Sequence, residues 1–200
     1  MKTFSMLTLI TLAIVQFAVP YRMILGYERT LSQGELFRFK TRPIDPTDPF
    51  QGKYVRLRYH SVTIPCDPVR IHELEQKQPI YALLEQDDAG FARFFDWSSE
   101  KPESGAYYKT RYHYTNIKWN NTTKTHTTNG IKIEISFDRF YMDEAKAPRA
   151  ERLAQDATRN STCWANVRIL EGKAIIEDVF AEGISLRKLA IEKDEKMALP

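Results

Sequence analysis

Several absences narrow the chemistry of this 200-residue chain. It has two cysteines, Cys66 and Cys163, and no CxxC pair, so neither a dithiol redox pair nor a local zinc site is written in it. The four histidines, His60, His72, His113 and His126, are scattered and form no HxxxH-type ligand pair. There is no GxSxG elbow for a serine hydrolase and no glycine-rich phosphate loop. The net charge of +3 is spread over interspersed Lys, Arg, Asp and Glu. That is an ordinary solvated surface, without the concentrated basic face that nucleic-acid binding needs. The residues therefore call for no cofactor, no metal and no nucleic-acid partner. Glycine is modest at eight residues, against ten tyrosines and eleven phenylalanines. This balance favours strands with aromatic faces over disorder.

What the chain does have is one long uncharged stretch, Phe4 to Val19. As a helix it would be roughly 24 Å long, at about 1.5 Å per residue, which is short of a bilayer core of about 30 Å. Continuation through Tyr21, Met23, Ile24 and Leu25 makes up the difference, with Arg22 snorkelling towards a headgroup. Pro20 is tolerated in such a helix. Lys2 ahead of the run also resembles a signal peptide, but Ala18-Val19-Pro20-Tyr21 lacks a small-x-small cleavage site. An uncleaved anchor is favoured over a cleaved signal. A helix buried in a soluble domain is disfavoured because the run has no polar face. Lys2 on one side and Arg22 and Arg29 on the other leave the orientation undecided by charge. A short tail ahead of a single span most simply stays inside, which puts residues 30–200 outside. The expected division is a transmembrane anchor over residues 1–28, a β-rich extracytoplasmic domain over 29–190 and a flexible charged tail over 191–200.

Beyond the anchor, period-two patterns dominate. Gly34 to Thr41 alternates in part and reads as a first strand. Pro43, Pro46 and Pro49 then break regular structure, and Asp45 and Asp48 suit Asx turns. Lys53 to Ser61 reads as a strand, with Val55, Leu57 and Tyr59 on a core face and Tyr54, Arg56, Arg58 and His60 on the other. Residues 69–78 read as a short helix or loop. Ile80–Glu85 and Phe91–Trp97 read as a hairpin turned at Asp87-Asp88-Ala89-Gly90. Gly105 to Trp119 reads as one long strand or two, and Asn120 to Asn129 as a polar linker. Gly130 to Phe137 reads as a half-buried strand, Asp143 to Ala157 as a single short helix, and Cys163–Leu170 with Ala174–Phe180 as a terminal hairpin. The fold class expected is mainly β: an antiparallel β-sandwich or irregular barrel with one short helix, preceded by an N-terminal transmembrane helix.

Gly52-Lys53-Tyr54-Val55-Arg56-Leu57-Arg58-Tyr59 resembles the motif that names the GDYXXLXY family of bacterial membrane-anchored proteins. The preceding Pro43-Ile44-Asp45-Pro46-Thr47-Asp48-Pro49-Phe50 resembles that family's PxDPxDxF lead-in. Arg139-Phe140-Tyr141-Met142-Asp143-Glu144 resembles its RFYxxE element, and Ala165 to Leu186 its last pair of strands. Lys53 departs from the pattern, standing where the family has Asp. The resemblance implies a single N-terminal span and an exported β-rich domain, and it carries no established reaction. Members of the family commonly accompany multi-pass membrane proteins, which implies a subunit role.

Candidate chemistry gathers around the motif. Asp45 and Asp48 offer two carboxylates in one loop, too few for a calcium site of six to eight oxygens and better suited to turns. Tyr54, Arg56 and Arg58 line a solvated strand face or a cleft for a carboxylate, phosphate or glycan. Glu144 suits the first turn of the expected helix or a pair with a motif arginine. The tyrosines of 107–114 with Trp119 suit cross-strand pairing more than a sugar or peptide platform. Cys66 and Cys163 leave two alternatives open, one disulfide or two separate thiols. The functional expectation is a non-enzymatic interaction module or accessory subunit for envelope or multi-pass membrane proteins, single-pass in the inner or cell membrane, with its C-terminal domain periplasmic. The alternative is a small-ligand-binding or hydrolytic enzyme with an Arg/Tyr/carboxylate cleft. The two separate on whether the arginines and acids converge in a concavity or spread beside an apolar patch.

Overall fold

The computed structural model describes residues 2–42, 54–59, 62–71, 74–120, 125–141 and 163–188. A 32-residue helix, α1 (Lys2–Gln33), comes first. It is followed without a linker by β1 (Glu35–Arg42). Gly34 makes this junction possible. Its amide donates to the Thr30 carbonyl at 2.9 Å, and a Cβ at Gly34 would also press on the Ile169 amide at 3.1 Å. Thr30 is buried and donates its hydroxyl to the Gly26 carbonyl. The last turns of α1 therefore lie on the β domain, and the helix runs past residue 28 to Gln33. Among the described residues, no helix is long and apolar enough to cross a membrane.

The remaining elements are β2 (Tyr54–Arg56), β3 (Arg58–Tyr59), β4 (Thr63–Ile64), α2 (Pro68–Ile71), β5 (Pro79–Gln86), β6 (Ala92–Ser98), β7 (Tyr107–Asn120), β8 (Thr125–Ile133), β9 (Arg139–Tyr141), β10 (Cys163–Leu170), β11 (Lys173–Ala181) and β12 (Ile184–Ser185). One antiparallel sheet has the order β12-β11-β10-β1-β3, and a second the order β4-β8-β7-β5-β6, with β2 and β9 as a separate pair. Among the described residues the strands do not close into a barrel. The two five-stranded sheets share one core, which includes Phe37 and Phe39 of β1, Ile80 and Ala82 of β5, Phe94 of β6, Ile131 and Ile133 of β8, and Ala165 and Val167 of β10. These are the apolar sets of the alternating patterns, so pleat and burial agree.

Three expectations change. The polar stretch before Asn129 is not all linker: β8 begins at Thr125, and Thr125 to Thr128 pair with β7 residues Asn120 to Ile117. Backbone pairing makes this strand end, so no apolar period announces it. The strand at 53–61 is divided at Leu57, because its two halves have different partners: β2 pairs with β9 and β3 with β1. The strand at 130–137 stops at Ile133, although Phe137 is still buried. Tyr107–Asn120 is a single strand, irregular between Tyr112 and Tyr114 and between Thr115 and Ile117. The hairpin turn at 87–90 forms as its residues suggest, with the Asp87 carboxylate accepting from the Ala89 and Phe91 amides. The short helix among the described residues is α2. The helix expected over 143–157, the turns expected at Asp45 and Asp48 and the charged tail from 191 onwards lie outside the described residues.

The centre of the core is aromatic. Phe137 lies 5.3 Å from Phe39, 5.0 Å from Tyr59 and 5.2 Å from Tyr108, centroid to centroid. The Tyr59 hydroxyl donates to the Phe137 carbonyl at 2.7 Å. Burial, then the nearby Asp138 carboxylate, raises the Tyr59 pKa well above its ordinary value of 10.0. A folded-state pKa raised in this way gives stability that is full below about pH 10 and is lost as pH climbs towards the folded value. Tyr59→Phe should therefore cost about 1–3 kcal/mol near neutral pH, since the carbonyl of Phe137 loses its donor. That cost should shrink above about pH 10, where only the wild-type unfolded chain ionises at this position. Urea unfolding at several pH values measures both.

Candidate functional site

The motif begins β2 with Tyr54, whose backbone pairs with Tyr141 of β9. Of the residues read as its core face, Leu57 is 1 % exposed and Tyr59 4 % exposed. The Leu57 amide donates to the Asp138 carbonyl at 2.7 Å. With the Tyr59 hydroxyl on the Phe137 carbonyl, two successive carbonyls of the 137–138 segment are held by the motif. The motif thus joins the edge of the first sheet, through β3, to the β2–β9 pair.

Arg56 and Arg58 are both exposed. Arg56 Nε lies 3.5 Å from Asp138 Oδ2, and Arg139 Nε lies 3.9 Å from Asp138 Oδ1. Asp138 is thus flanked by two arginines that face each other in register across β2 and β9. The sequence did not flag Asp138, since a single Asp before RFY has no spacing signature. The side chains of Tyr54 and Val55, and residues Asp45, Asp48, His60 and Glu144, lie outside the described residues. The structure therefore brings Arg56 to an acid that sequence reasoning missed.

The two cysteines are free thiols in different surroundings. Cys66 Sγ accepts the Trp97 indole N–H at 3.0 Å. Arg70 covers the Trp97 ring at 4.7 Å and binds Asp96 at 2.7 Å. Cys163 is buried at the start of β10, where its carbonyl accepts from the Thr41 hydroxyl. Of the two alternatives, this is the pair of separate thiols. The tyrosines of β7 are mostly structural. Tyr107, Tyr108 and Tyr112 are buried, Tyr114 is exposed, and the Trp119 side chain lies outside the described residues. Among the described residues no group of His, Cys, Asp and Glu is arranged to hold a metal.

Two cavities of the β domain lie elsewhere. One, of about 410 Å³, sits between α1 and the tip of the β10–β11 hairpin and includes Met23, Tyr27, Lys109, Ser136 and Lys173 in its wall. The other, of about 590 Å³, is lined by Lys77, Pro79, Tyr108, Lys109, Thr110, Arg111, Glu134 and Ser136. Tyr108 and Ser136 exchange hydrogen bonds between them: hydroxyl to hydroxyl at 2.8 Å, and the Ser136 amide to the Tyr108 oxygen at 2.9 Å. These lining residues come from α1, from several strands and from the segments between them, so no local spacing could have revealed them.

Similarity to known proteins bears on the motif. The family model described as GDYXXLXY protein matches residues 16–179. The chain belongs to the GDYXXLXY family. No curated protein and no solved structure matches it. Set against the fold, the Leu and the final Tyr of the family's name fall on Leu57 and Tyr59, both buried. Lys53, where the family name has Asp, lies outside the described residues.

The geometry separates the inward from the outward motif residues. Leu57→Ala should cost about 2–5 kcal/mol, the range for a leucine removed from a packed core. Arg56→Ala should cost no more than about 1 kcal/mol, because the Arg56 side chain is exposed and its contact with Asp138 is long at 3.5 Å. Parallel urea titrations compare the two, and a larger cost for Arg56→Ala would contradict the assignment.

Proposed function

We propose that the chain is a single-pass membrane protein whose β domain works outside the cytoplasm as a non-enzymatic interaction module, an accessory subunit for another membrane protein. The observation that carries this reading is the exposure of apolar side chains around α1. Leu9, Leu12, Ile14, Val15, Phe17, Val19, Met23 and Ile24 all stand open to solvent. Water is a poor surrounding for such a surface, and large exposed apolar areas mark contact with lipid or protein. In length alone, a helix of 32 residues, roughly 48 Å at about 1.5 Å per residue, exceeds a bilayer core of about 30 Å, although its described residues do not reach the apolarity of a spanning segment. The uncharged run of the sequence starts at Phe4, and the side chains of residues 1–8, 10 and 11 lie outside those described.

The junction at Gly34 supports a fixed rather than tethered domain, since no linker separates α1 from β1. Such a domain presents the motif face at a set distance from the helix. The exposed Arg56 and Arg58, with Asp138 between Arg56 and Arg139, suit a polar contact with a partner. Neither arginine lines the two cavities described above, which weighs for a partner over a ligand at this face.

Photocrosslinking in native membranes tests the reading, with a photoreactive residue replacing Arg58 in one variant and Ile14 in another. The expected result is adduct formation with one integral membrane protein from position 58 and with lipid or protein from position 14. Recovery of the chain in the carbonate-soluble fraction, with no protein adduct from position 58, would contradict it.

A further inference from the structure

The two cavities share Lys109, Tyr108 and Ser136 in their walls, so they adjoin along a predominantly basic surface, the smaller of them against α1. Its lysines are brought together by tertiary structure. The Lys109 amide donates to the Gly172 carbonyl at 2.9 Å, and Tyr108 forms a bridge with Gly172. This docks the tip of the β10–β11 hairpin on β7, so Lys173, the next residue, stands beside Lys109. Gly172 has φ of 80°, and a Cβ there would meet the Lys109 side chain and the Tyr107 ring at 2.9 Å. Only glycine permits so close an approach in that conformation.

The smaller cavity has Lys109 and Lys173 in its wall and no carboxylate among its lining residues. Two acids of the hairpin have other cations: Glu171 pairs with Arg29 at 3.2 Å and Glu177 with Arg168 at 2.8 Å. The larger cavity adds Lys77 and Arg111 against Glu134. Lys109 and Lys173 line one cavity, and an anion bound there would be attracted by both charges. Arg111 supplies a planar donor set suited to phosphate, and the lysines supply point charges. The Ser136 hydroxyl in the shared wall adds a neutral donor when Tyr108 donates to it within their pair. Volumes of about 410 and 590 Å³ match small-ligand sites.

We propose that this groove binds a phosphate group, carried either by an anionic phospholipid at the membrane surface or by a soluble organic phosphate. Met23 and Tyr27 of α1 form one wall of the smaller cavity. If α1 is the anchor, that wall is where a headgroup meets the domain. Only the lipid source rests on the membrane reading.

Lysine footprinting of the full chain tests the proposal. Acetylation rates of Lys109 and Lys173 are read by mass spectrometry against Lys101, which is exposed and outside the groove. The probes are glycerol 3-phosphate with detergent-solubilised chain, and bilayer discs of phosphatidylcholine with or without phosphatidylglycerol. At a probe concentration about ten times Kd, the rates at Lys109 and Lys173 should fall roughly tenfold while Lys101 is unchanged. Protection by glycerol 3-phosphate supports a soluble ligand, and protection only in phosphatidylglycerol discs supports a lipid headgroup. Arg111→Gln should weaken either. Rates at Lys109 and Lys173 that no probe lowers relative to Lys101 would overturn the proposal. A chain that fails to enter the discs would refute the membrane reading, and glycerol 3-phosphate alone would then decide the groove.

Discussion

The segment that crosses from β8 to β9 runs along a largely aromatic core into which it sends Phe137, and the fold depends on pairing its peptide groups. Left unpaired, a buried group such as the Phe137 carbonyl would cost about 1–3 kcal/mol. The Glu134 carbonyl accepts from the Thr110 hydroxyl, and the Ser136 amide donates to Tyr108. The Phe137 carbonyl accepts from Tyr59, and the Asp138 carbonyl from the Leu57 amide. Phe137 can then sit among Phe39, Tyr59 and Tyr108, where rings from three separate strands meet. The position of this segment also sets where β9 lies and, through β9, where β2 pairs.

Seen from that crossing, the family motif is a fastening with two sides. Its inward residues are part of the core, and its backbone ties one sheet to the crossing segment. Its outward arginines add little to stability, because they are solvated, and so are available for recognition. The groove beside α1 uses the other end of the same crossing. Ser136 and Tyr108, which pair there, also line the cavities with Lys109. Packing on one side of a short segment thus positions polar groups on the other.

Much of this was legible in the chain because burial imposes period two. Phe37 and Phe39, Ile131 and Ile133, and the alternation of 163–170 announced their strands and their inward faces. The motif named the family and put Leu57 and Tyr59 inside. What stayed illegible depends on partners distant in sequence. Thr125 to Thr128 form a strand by pairing with β7, and their polar side chains carry no pattern. The break at Leu57 is a change of partner along a stretch whose alternation is unbroken. Asp138 gains meaning from Arg56, and Lys109 from Lys173, only when the sheets assemble. The thiols had no spacing to decide them, and Trp97 over Cys66 became visible only in the fold.

The central claim is that the motif fastens the crossing segment as tightly as the core itself is held. Native-state hydrogen exchange at the Leu57 amide measures this directly, because its acceptor is the Asp138 carbonyl. The account predicts that Leu57 exchanges only through global unfolding, with a protection free energy equal to those of Ala165 and Val167 in β10. Exchange of Leu57 by local opening, at a free energy well below theirs, would contradict it.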